Sequence, residues 1–256
     1  MNTITMSECS KRKLDDTYLV VYAIKNVINI KKVDYIEQCD IYTFIGVNTK
    51  GYRHILNIYQ ERLNNNHYWL DCFEALKARG IKNILFLSVD NNKNMKRTAK
   101  IAFPSVMFVD SITDIVPRFY KYSTDRSNNR VSGKLHNLYV QKTLTDFHNV
   151  FNTFKSEYNN IIHQKLIVKY LGNIESIYKY SINIRKLLFK HTANINLYDK
   201  IRLTFDNNKS YINDINEIYE KLGNSNEFFG FTSFSKKDWN LIVNDLINLF
   251  PDIDFI

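Results

Sequence analysis

At 256 residues, with 45% hydrophobic and 24% charged residues, the chain has the composition of a soluble globular protein with one sizeable core. Its apolar runs are much shorter than the roughly 20 residues of a membrane-spanning helix, and its first residues contain no apolar segment typical of a secretory signal. The three cysteines, Cys9, Cys39 and Cys72, are widely spaced and form no CxxC pair. This spacing favours free thiols in a reducing cytosol over a disulfide framework or a thiolate zinc site.

The net charge of +9 is compatible with a polyanionic partner such as DNA, because clustered Lys and Arg displace counterions from phosphates. The basic residues are nevertheless spread along the chain. Only residues 10–13 (SKRK) and the KNMKR run that ends at Arg97 form clusters. A solvated basic surface therefore stands as the alternative to nucleic-acid binding.

Residues 15–90 form a strand-rich block. β-branched and aromatic residues dominate Tyr18–Asn26, Tyr42–Asn48 and Arg53–Gln60, which predicts three strands. The short turn over residues 48–51 (NTKG) predicts that the second and third strands pair as an antiparallel hairpin.

An amphipathic helix is predicted to begin near Asn66 and to end at Gly80, a residue suited to the left-handed conformation found at helix ends. Its apolar positions at helical spacing are Trp69, Cys72, Phe73 and Leu76. The apolar run LFLSV that follows predicts a buried fourth strand ending at Asp90. A short helix over Met95–Phe103 and a fifth strand over Val106–Val109 complete this part of the chain.

After Asp110 the sequence is rich in helical patterns and polar loops. Leu138–Phe154 and Ile161–Tyr170 have helical periodicity, and the tail predicts further helices. These tail helices are expected over Ile195–Arg202, Ile212–Leu222 and Trp239–Phe250. The pattern predicts an α/β fold in which residues 1–110 form the first part of a core, residues 111–190 a helical insertion, and residues 191–256 helices that complete the core.

Two carboxylates mark the ends of the strand-rich block. Asp15 precedes the first strand, and Asp90 ends the buried fourth strand, where a carboxylate tends to face a crevice. Each has a simpler explanation: Asp15 as a solvated acid at the start of a strand, and Asp90 as the N-cap of the next helix.

The order and spacing of several motifs resemble the Mutator-type transposases of bacterial insertion sequences. DDTYLVVY is similar to the family's Asp-x-x-Tyr strand, which assigns the first acid to Asp15. FIGVNTKGYRHIL is similar to its strand-turn-strand, and HYWLDCFEALKARGIKNILFLSVD is the closest match, ending at the second acid, Asp90. AFPSV, IRKLLF, LYDKIR and WNLIVNDLINLF resemble later segments of the family.

The resemblance implies an RNase H-like mixed sheet that performs metal-dependent DNA cleavage and strand transfer. In that chemistry an Asp, Asp, Glu trio holds two Mg²⁺ or Mn²⁺ ions that stabilise the attacking and leaving oxygens of the phosphodiester. Asp15 and Asp90 would be the first two acids and metal ligands. DNA is the implied partner, with no membrane, in a cytoplasmic, nucleoid-associated protein for which a homo-oligomer is left open.

The third acid of the trio is missing from its expected position. An ungapped comparison places it at Ile195, and a shift of one residue places it at Asn196; neither side chain is a carboxylate. Asp199, one helical turn beyond Ile195, is a candidate substitute. Glu175 precedes the expected helix and would need a rearranged connection.

Two further departures concern the middle and the start of the chain. The family's Cys-x-x-His pair falls on Ser111 and Asp114, and the sequence begins close to the first catalytic strand. We therefore expect a truncated, degenerate transposase with impaired catalysis. The alternatives are a non-catalytic nucleic-acid-binding or interaction protein on the same core, and a relic reading frame that folds poorly.

Overall fold

The computed structural model describes residues 11–61, 67–90, 92–110, 119, 128–192, 211–212, 215–223, 230–232 and 234–255. The chain divides into two compact units. The sheet unit consists of Met1–Val109, Leu197–Ser233 and Asp252–Ile256, and the helical unit consists of Asp110–Asn196 and Phe234–Pro251.

The sheet unit is built on one mixed sheet of five longer strands and a two-residue strand. The strands are β1 (Thr17–Lys31), β2 (Ile36–Asn48), β3 (Tyr52–Gln60), β4 (Asn83–Val89), β5 (Met107–Asp110) and β6 (Gly230–Phe231). Their order across the sheet is β5-β4-β1-β2-β3-β6. β2 pairs antiparallel with both β1 and β3, whereas β4 pairs parallel with β1. The meander followed by a parallel strand agrees with the α/β class expected from the sequence.

Two helices cover one face of this sheet. Helix α1 (Tyr68–Ala78) supplies Trp69, whose ring packs edge-on against Tyr42 at 5.0 Å and stacks on Phe44 at 6.1 Å. Helix α2 (Lys93–Ala102) buries its apolar side in the same core. Burial of these large aromatic side chains is the main force that holds the helices on the sheet.

The local sequence signals of the sheet unit are confirmed. The hairpin turn, β3, helix α1 and the buried β4 lie within about two residues of their predicted bounds, whereas β1 continues to Lys31 and β2 begins at Ile36, beyond the predicted Tyr18–Asn26 and Tyr42–Asn48. Gly80 has φ +117° directly after α1, as the sequence predicts for a residue that ends a helix. Cys39 and Cys72 are buried free thiols.

Five helices of the described residues belong to the helical unit: α3 (Asn128–Tyr139), α4 (Leu144–Glu157), α5 (Ile161–Leu166), α6 (Ile182–Thr192) and α8 (Lys236–Leu249). Helix α7 (Ile215–Gly223) belongs to the sheet unit. A π-helical turn (Ile167–Leu171) continues α5, and a 3₁₀ helix (Ile174–Lys179) precedes α6.

The helical part of the chain differs from the sequence prediction in two respects. The periodic segment Leu138–Phe154 is divided between α3 and α4 by a break at residues 140–143. Helix α8, predicted to complete the core, lies instead in the helical unit, where its Asp245 accepts hydrogen bonds from Ser181 and Asn183 at 2.5 and 2.9 Å. The predicted helix Ile195–Arg202 lies outside the described residues. No helix in the described ranges combines the length and apolarity needed to cross a lipid bilayer.

Candidate functional site at the carboxyl end of β4

Asp90 follows directly after β4, at the end of the sheet where the strand leads into α2. Its Oδ2 accepts a hydrogen bond from the Tyr42 hydroxyl at 3.1 Å, and its Oδ1 accepts one from the backbone N–H of Asn92 at 3.2 Å. Both donors come from the protein itself, one from β2 and one from the first residue before α2. These two donors satisfy part of the carboxylate's hydrogen-bonding capacity without a metal ion.

Asn92 connects this carboxylate to the neighbouring elements. Its side-chain oxygen accepts from the Met95 N–H at 2.9 Å and caps α2, while its Nδ2 donates to Glu61 Oε1 at 2.8 Å. Asn92, rather than Asp90, is therefore the N-cap that the sequence suggested for this helix. An Asn before the KNMKR run is a recognisable capping signal, so this residue could have been identified from the sequence.

A lysine lies close to the carboxylates at this end of the sheet. Lys25 on β1 pairs with Asp40 on β2 at 2.5 Å. Burial lowers the pKa of Lys25, but the hydrogen bond and charge of Asp40, with the charges of Asp90 and Glu61, outweigh burial and raise it. The Lys25 ammonium thus offsets part of the negative charge of Asp40, Asp90 and Glu61.

Asp15 lies at the opposite end of the same strands. Its neighbour Leu14 donates from its N–H to the Arg79 carbonyl at 2.8 Å, and the Asp16 carbonyl accepts from the N–H groups of Lys82 and Asn83 at 2.7 and 2.9 Å. These bonds hold residues 14–16 against the start of β4.

The Asp15 side chain takes part in a separate polar group. Its Oδ2 accepts from Asn48 Nδ2 at 3.1 Å and more distantly from the Tyr18 hydroxyl at 3.5 Å, and His54 Nδ1 lies 3.5 Å away. Burial, followed by the charge of Arg12, lowers the pKa of His54, which favours a neutral ring. Asp15 therefore joins the start of β1 to the β2–β3 hairpin.

The register of β1 and β4 determines how far apart the two acids are. Thr17 is level with Asn83 and Tyr22 with Ser88. Continued by two residues at each end, this register puts Asp15 level with Ile81, nine residues before Asp90. At about 3.3 Å per residue, the two positions are separated by about 30 Å along the strands.

Two carboxylates at this separation cannot hold one pair of metal ions, which lie only about 4 Å apart in two-metal sites. The parallel register thus does not bring Asp15 and Asp90 together in this structure, as the metal site predicted from the sequence would require. The β1 residue level with Asp90 is Ile24, which is 2% exposed and carries no ligand atom.

Of the other positions considered for the third acid, Glu175 lies in the 3₁₀ helix of the helical unit. Positions Ile195, Asn196 and Asp199 lie outside the described residues, as do Ser111 and Asp114. In the part of the chain that the structure describes, no three His, Cys, Asp or Glu side chains are grouped so that they could hold a metal ion.

A basic helix face begins next to Asp90. In α2, Lys93, Arg97 and Lys100 are exposed and recur at helical spacing, and the helix contains no acidic residue. Its buried side, which includes Met95 and Ala99, packs in the core, so the basic residues face outward. We name the surface formed by Lys93, Arg97 and Lys100 the α2 basic face.

The comparisons with known proteins agree on one family. A family model described as "Transposase, Mutator family" matches residues 3–202. The transposase for insertion sequence element ISRM3 of Rhizobium meliloti (strain 1021) is 19% identical over 200 residues, which cover 77% of this chain and 50% of that protein. A probable insertion sequence transposase of Corynebacterium diphtheriae is 20% identical over 132 residues, covering 52% of this chain and 38% of that protein.

The family model covers most of the sequence and includes all of β1 to β5. The chain belongs to the Mutator family of transposases. It spans about half the length of the first curated relatives it matches.

Proposed function

We propose that this chain serves DNA transposition as a DNA-binding protein on an RNase H-like core, with its metal-dependent cleavage centre not assembled. The observation that carries the proposal is the parallel register of β1 and β4, which separates Asp15 from Asp90. Family membership supports the role in transposition.

The strand order supports the RNase H-like core. In such a core an antiparallel meander is followed by a crossover to a strand parallel to the first, which is the arrangement of β1 to β4. The chain leaves the sheet unit after Val109 and returns to it at Leu197, which supports a helical insertion between these points.

The residues at hand do not fit the metal ions that the family implies. Mg²⁺ or Mn²⁺ would supply charge stabilisation at the attacking and leaving oxygens, and this needs several carboxylates within reach of one another. By extension of the β1–β4 register, Asp90 is level with Ile24, and its oxygens accept from Tyr42 and Asn92. Lys25 adds a fixed positive charge nearby. We therefore assign no cleavage step to Asp15 and Asp90.

The α2 basic face supports DNA binding. Lys93, Arg97 and Lys100 present three positive charges on one exposed side of a helix, the arrangement that attracts a phosphate backbone. Binding of this kind is expected to weaken steeply with salt and to require no divalent metal ion.

Two assays on the purified chain test the proposal. The first is Mn²⁺-dependent nicking of supercoiled plasmid by the wild type and by Asp90→Asn, with Asp15→Asn as a matched control. We expect no nicking by any of the three proteins. Nicking by the wild type that Asp90→Asn abolishes would refute the absence of a cleavage centre.

The second assay is fluorescence anisotropy with a labelled duplex at several salt concentrations. We expect binding that does not require Mg²⁺, is unchanged by Asp90→Asn, and is weakened about tenfold by the double substitution Lys93→Gln/Arg97→Gln. Binding that does not respond to salt would contradict the proposal.

A second candidate is residual metal-dependent cleavage. It is favoured by the negative field of Asp40, Asp90 and Glu61 at the carboxyl end of β4, which acts on Lys25. The nicking assay separates this candidate from the first, because only residual cleavage requires Asp90.

A further inference from the structure

The helical unit contains an open cavity of about 550 Å³. It is formed by the start of α4, the 3₁₀ helix and the start of α6. Three cationic side chains line it, Lys142, Lys179 and Arg185, against one carboxylate, Glu175. Glu175 is 55% exposed and lies 3.8 Å from His148 Nε2. The lining is therefore positively charged overall.

Arg185 is the buried member of this group. The residue is 3% exposed, its Nη1 donates to the Tyr139 carbonyl at 2.8 Å, and its guanidinium lies 4.0 Å from the centre of the Tyr178 ring. Its Nε is buried and has no hydrogen-bond partner among the residues that the structure describes. A buried cation without an anionic partner is costly, and a bound anion would offset that cost.

The two lysines are available to a ligand. Lys142 and Lys179 are both exposed at the rim of the cavity. Within the described ranges, no ion pair joins a carboxylate to Lys142, Lys179 or Arg185. Three cations around one cavity and without acidic partners point to an anionic ligand.

Helix geometry adds to this positive potential. Leu144 begins α4 and Ile182 begins α6, and both residues line the cavity, so the positive ends of two helix dipoles point towards it. The N-cap hydroxyls of Thr143 and Ser181 contact carboxylates, Asp146 at 2.7 Å and Asp245 at 2.5 Å. Neither of these acids lines the cavity.

We propose that this cavity binds a phosphate group of the DNA backbone. The assignment to the backbone, rather than to free phosphate, rests on the proposed DNA-binding function. A phosphodiester brings one negative charge and several acceptor oxygens to Lys142, Lys179 and Arg185. Because the cavity belongs to the helical unit, it would give the chain a phosphate contact separate from the α2 basic face.

The test removes the two exposed charges and leaves the buried arginine in place. The cavity variant is Lys142→Gln/Lys179→Gln. The matched control is Lys165→Gln/Lys237→Gln, which removes two exposed lysines from the same unit but away from the cavity lining. Duplex affinity is measured by anisotropy over a range of salt, and thermal unfolding is measured in sodium phosphate and in sodium chloride of equal ionic strength.

We expect the cavity variant to bind duplex about tenfold more weakly, with a salt slope smaller by about 2, while the control changes less than about twofold. Equal weakening of the cavity variant and the control would overturn the proposal. Phosphate stabilisation of the wild type that the cavity variant loses, with unchanged duplex affinity, would assign the cavity to free phosphate and overturn the backbone assignment.

The two proposals fail in different ways. A wild type that binds no duplex refutes the proposed function and with it the backbone assignment, whether or not phosphate stabilises the fold. A wild type that binds duplex in a salt-dependent manner, together with a cavity variant of unchanged affinity and slope, overturns the cavity proposal alone.

Discussion

The separation of Asp15 from Asp90 can be measured directly with spin labels. Asp15→Cys and Asp90→Cys would carry the labels in a protein whose native Cys9, Cys39 and Cys72 are replaced by Ala. The nine-residue offset from Ile81 to Asp90 gives about 30 Å along the strands at about 3.3 Å per residue, and strand twist shortens this by a few ångströms. Pulsed dipolar electron paramagnetic resonance reports the distance between the labels.

Two acids that bind the same pair of metal ions would give a much shorter distance between the labels. Metal ions about 4 Å apart, with metal–oxygen bonds of about 2.1 Å, keep the ligand carboxylates within about 10 Å of each other. A second pair, Asp15→Cys with Lys82→Cys, serves as a control for short distances because the Lys82 N–H donates to the Asp16 carbonyl at 2.7 Å. A 15–90 distance as short as that of this control pair would refute the strand register and the argument built on it.

Two further predictions concern stability. Gly46→Ala should lower the free energy of unfolding by about 1–3 kcal/mol, because an added Cβ would lie 2.5 Å from the buried Tyr18 ring; thermal unfolding measures this. Burial raises the pKa of Tyr18, Tyr22 and Tyr42 above the ordinary value of 10.0. A raised pKa in the folded state adds stability that is complete below the unfolded value, so stability should fall as pH rises above about 10. Tyrosinate absorbance should show that these side chains ionise only as the chain unfolds.

Each of the two stability predictions has a clear contrary result. Gly133→Ala is the matched control for Gly46→Ala, because an added Cβ at this helical glycine meets nothing within 4 Å and Ala favours a helix by about 1 kcal/mol. Equal thermal unfolding temperatures for Gly46→Ala and the wild type would contradict the packing argument. Ionisation of every tyrosine in one step near pH 10, without unfolding, would contradict the burial argument.

The sequence predicted the parts of the fold that depend on neighbouring residues. The hairpin between β2 and β3 follows from a short turn, and α1 follows from the spacing of Trp69, Cys72, Phe73 and Leu76. Gly80 ends that helix because its φ of +117° suits glycine and because a Cβ would lie 2.9 Å from the Leu14 carbonyl. These signals depend only on neighbouring residues, so they can be recognised without knowledge of the tertiary structure.

The distance between the two candidate acids depends on the parallel register of β1 and β4, which no short stretch of sequence specifies. Asp15 matches the family motif by its three-residue spacing from Tyr18, but pairing between β1 and β4 joins residues more than sixty positions apart. A shift of that pairing moves every residue of β1 relative to Asp90. The motif therefore identified an acid near β1. The pairing of β1 with β4 determines which end of β4 that acid lies beside.

The proposed absence of a cleavage centre agrees with the contacts that the structure shows around Asp90. Phosphoryl transfer needs carboxylates whose oxygens remain free for metal ions, and such like charges destabilise a folded protein unless a cation is bound. Here the Tyr42 hydroxyl and the Asn92 N–H stabilise Asp90, and Lys25 pairs with Asp40. The protein's own groups thus offset part of the negative charge at this end of the sheet. An acid placed at Ile24 would add a buried charge at the β1 position level with Asp90, a carboxylate that already accepts two hydrogen bonds.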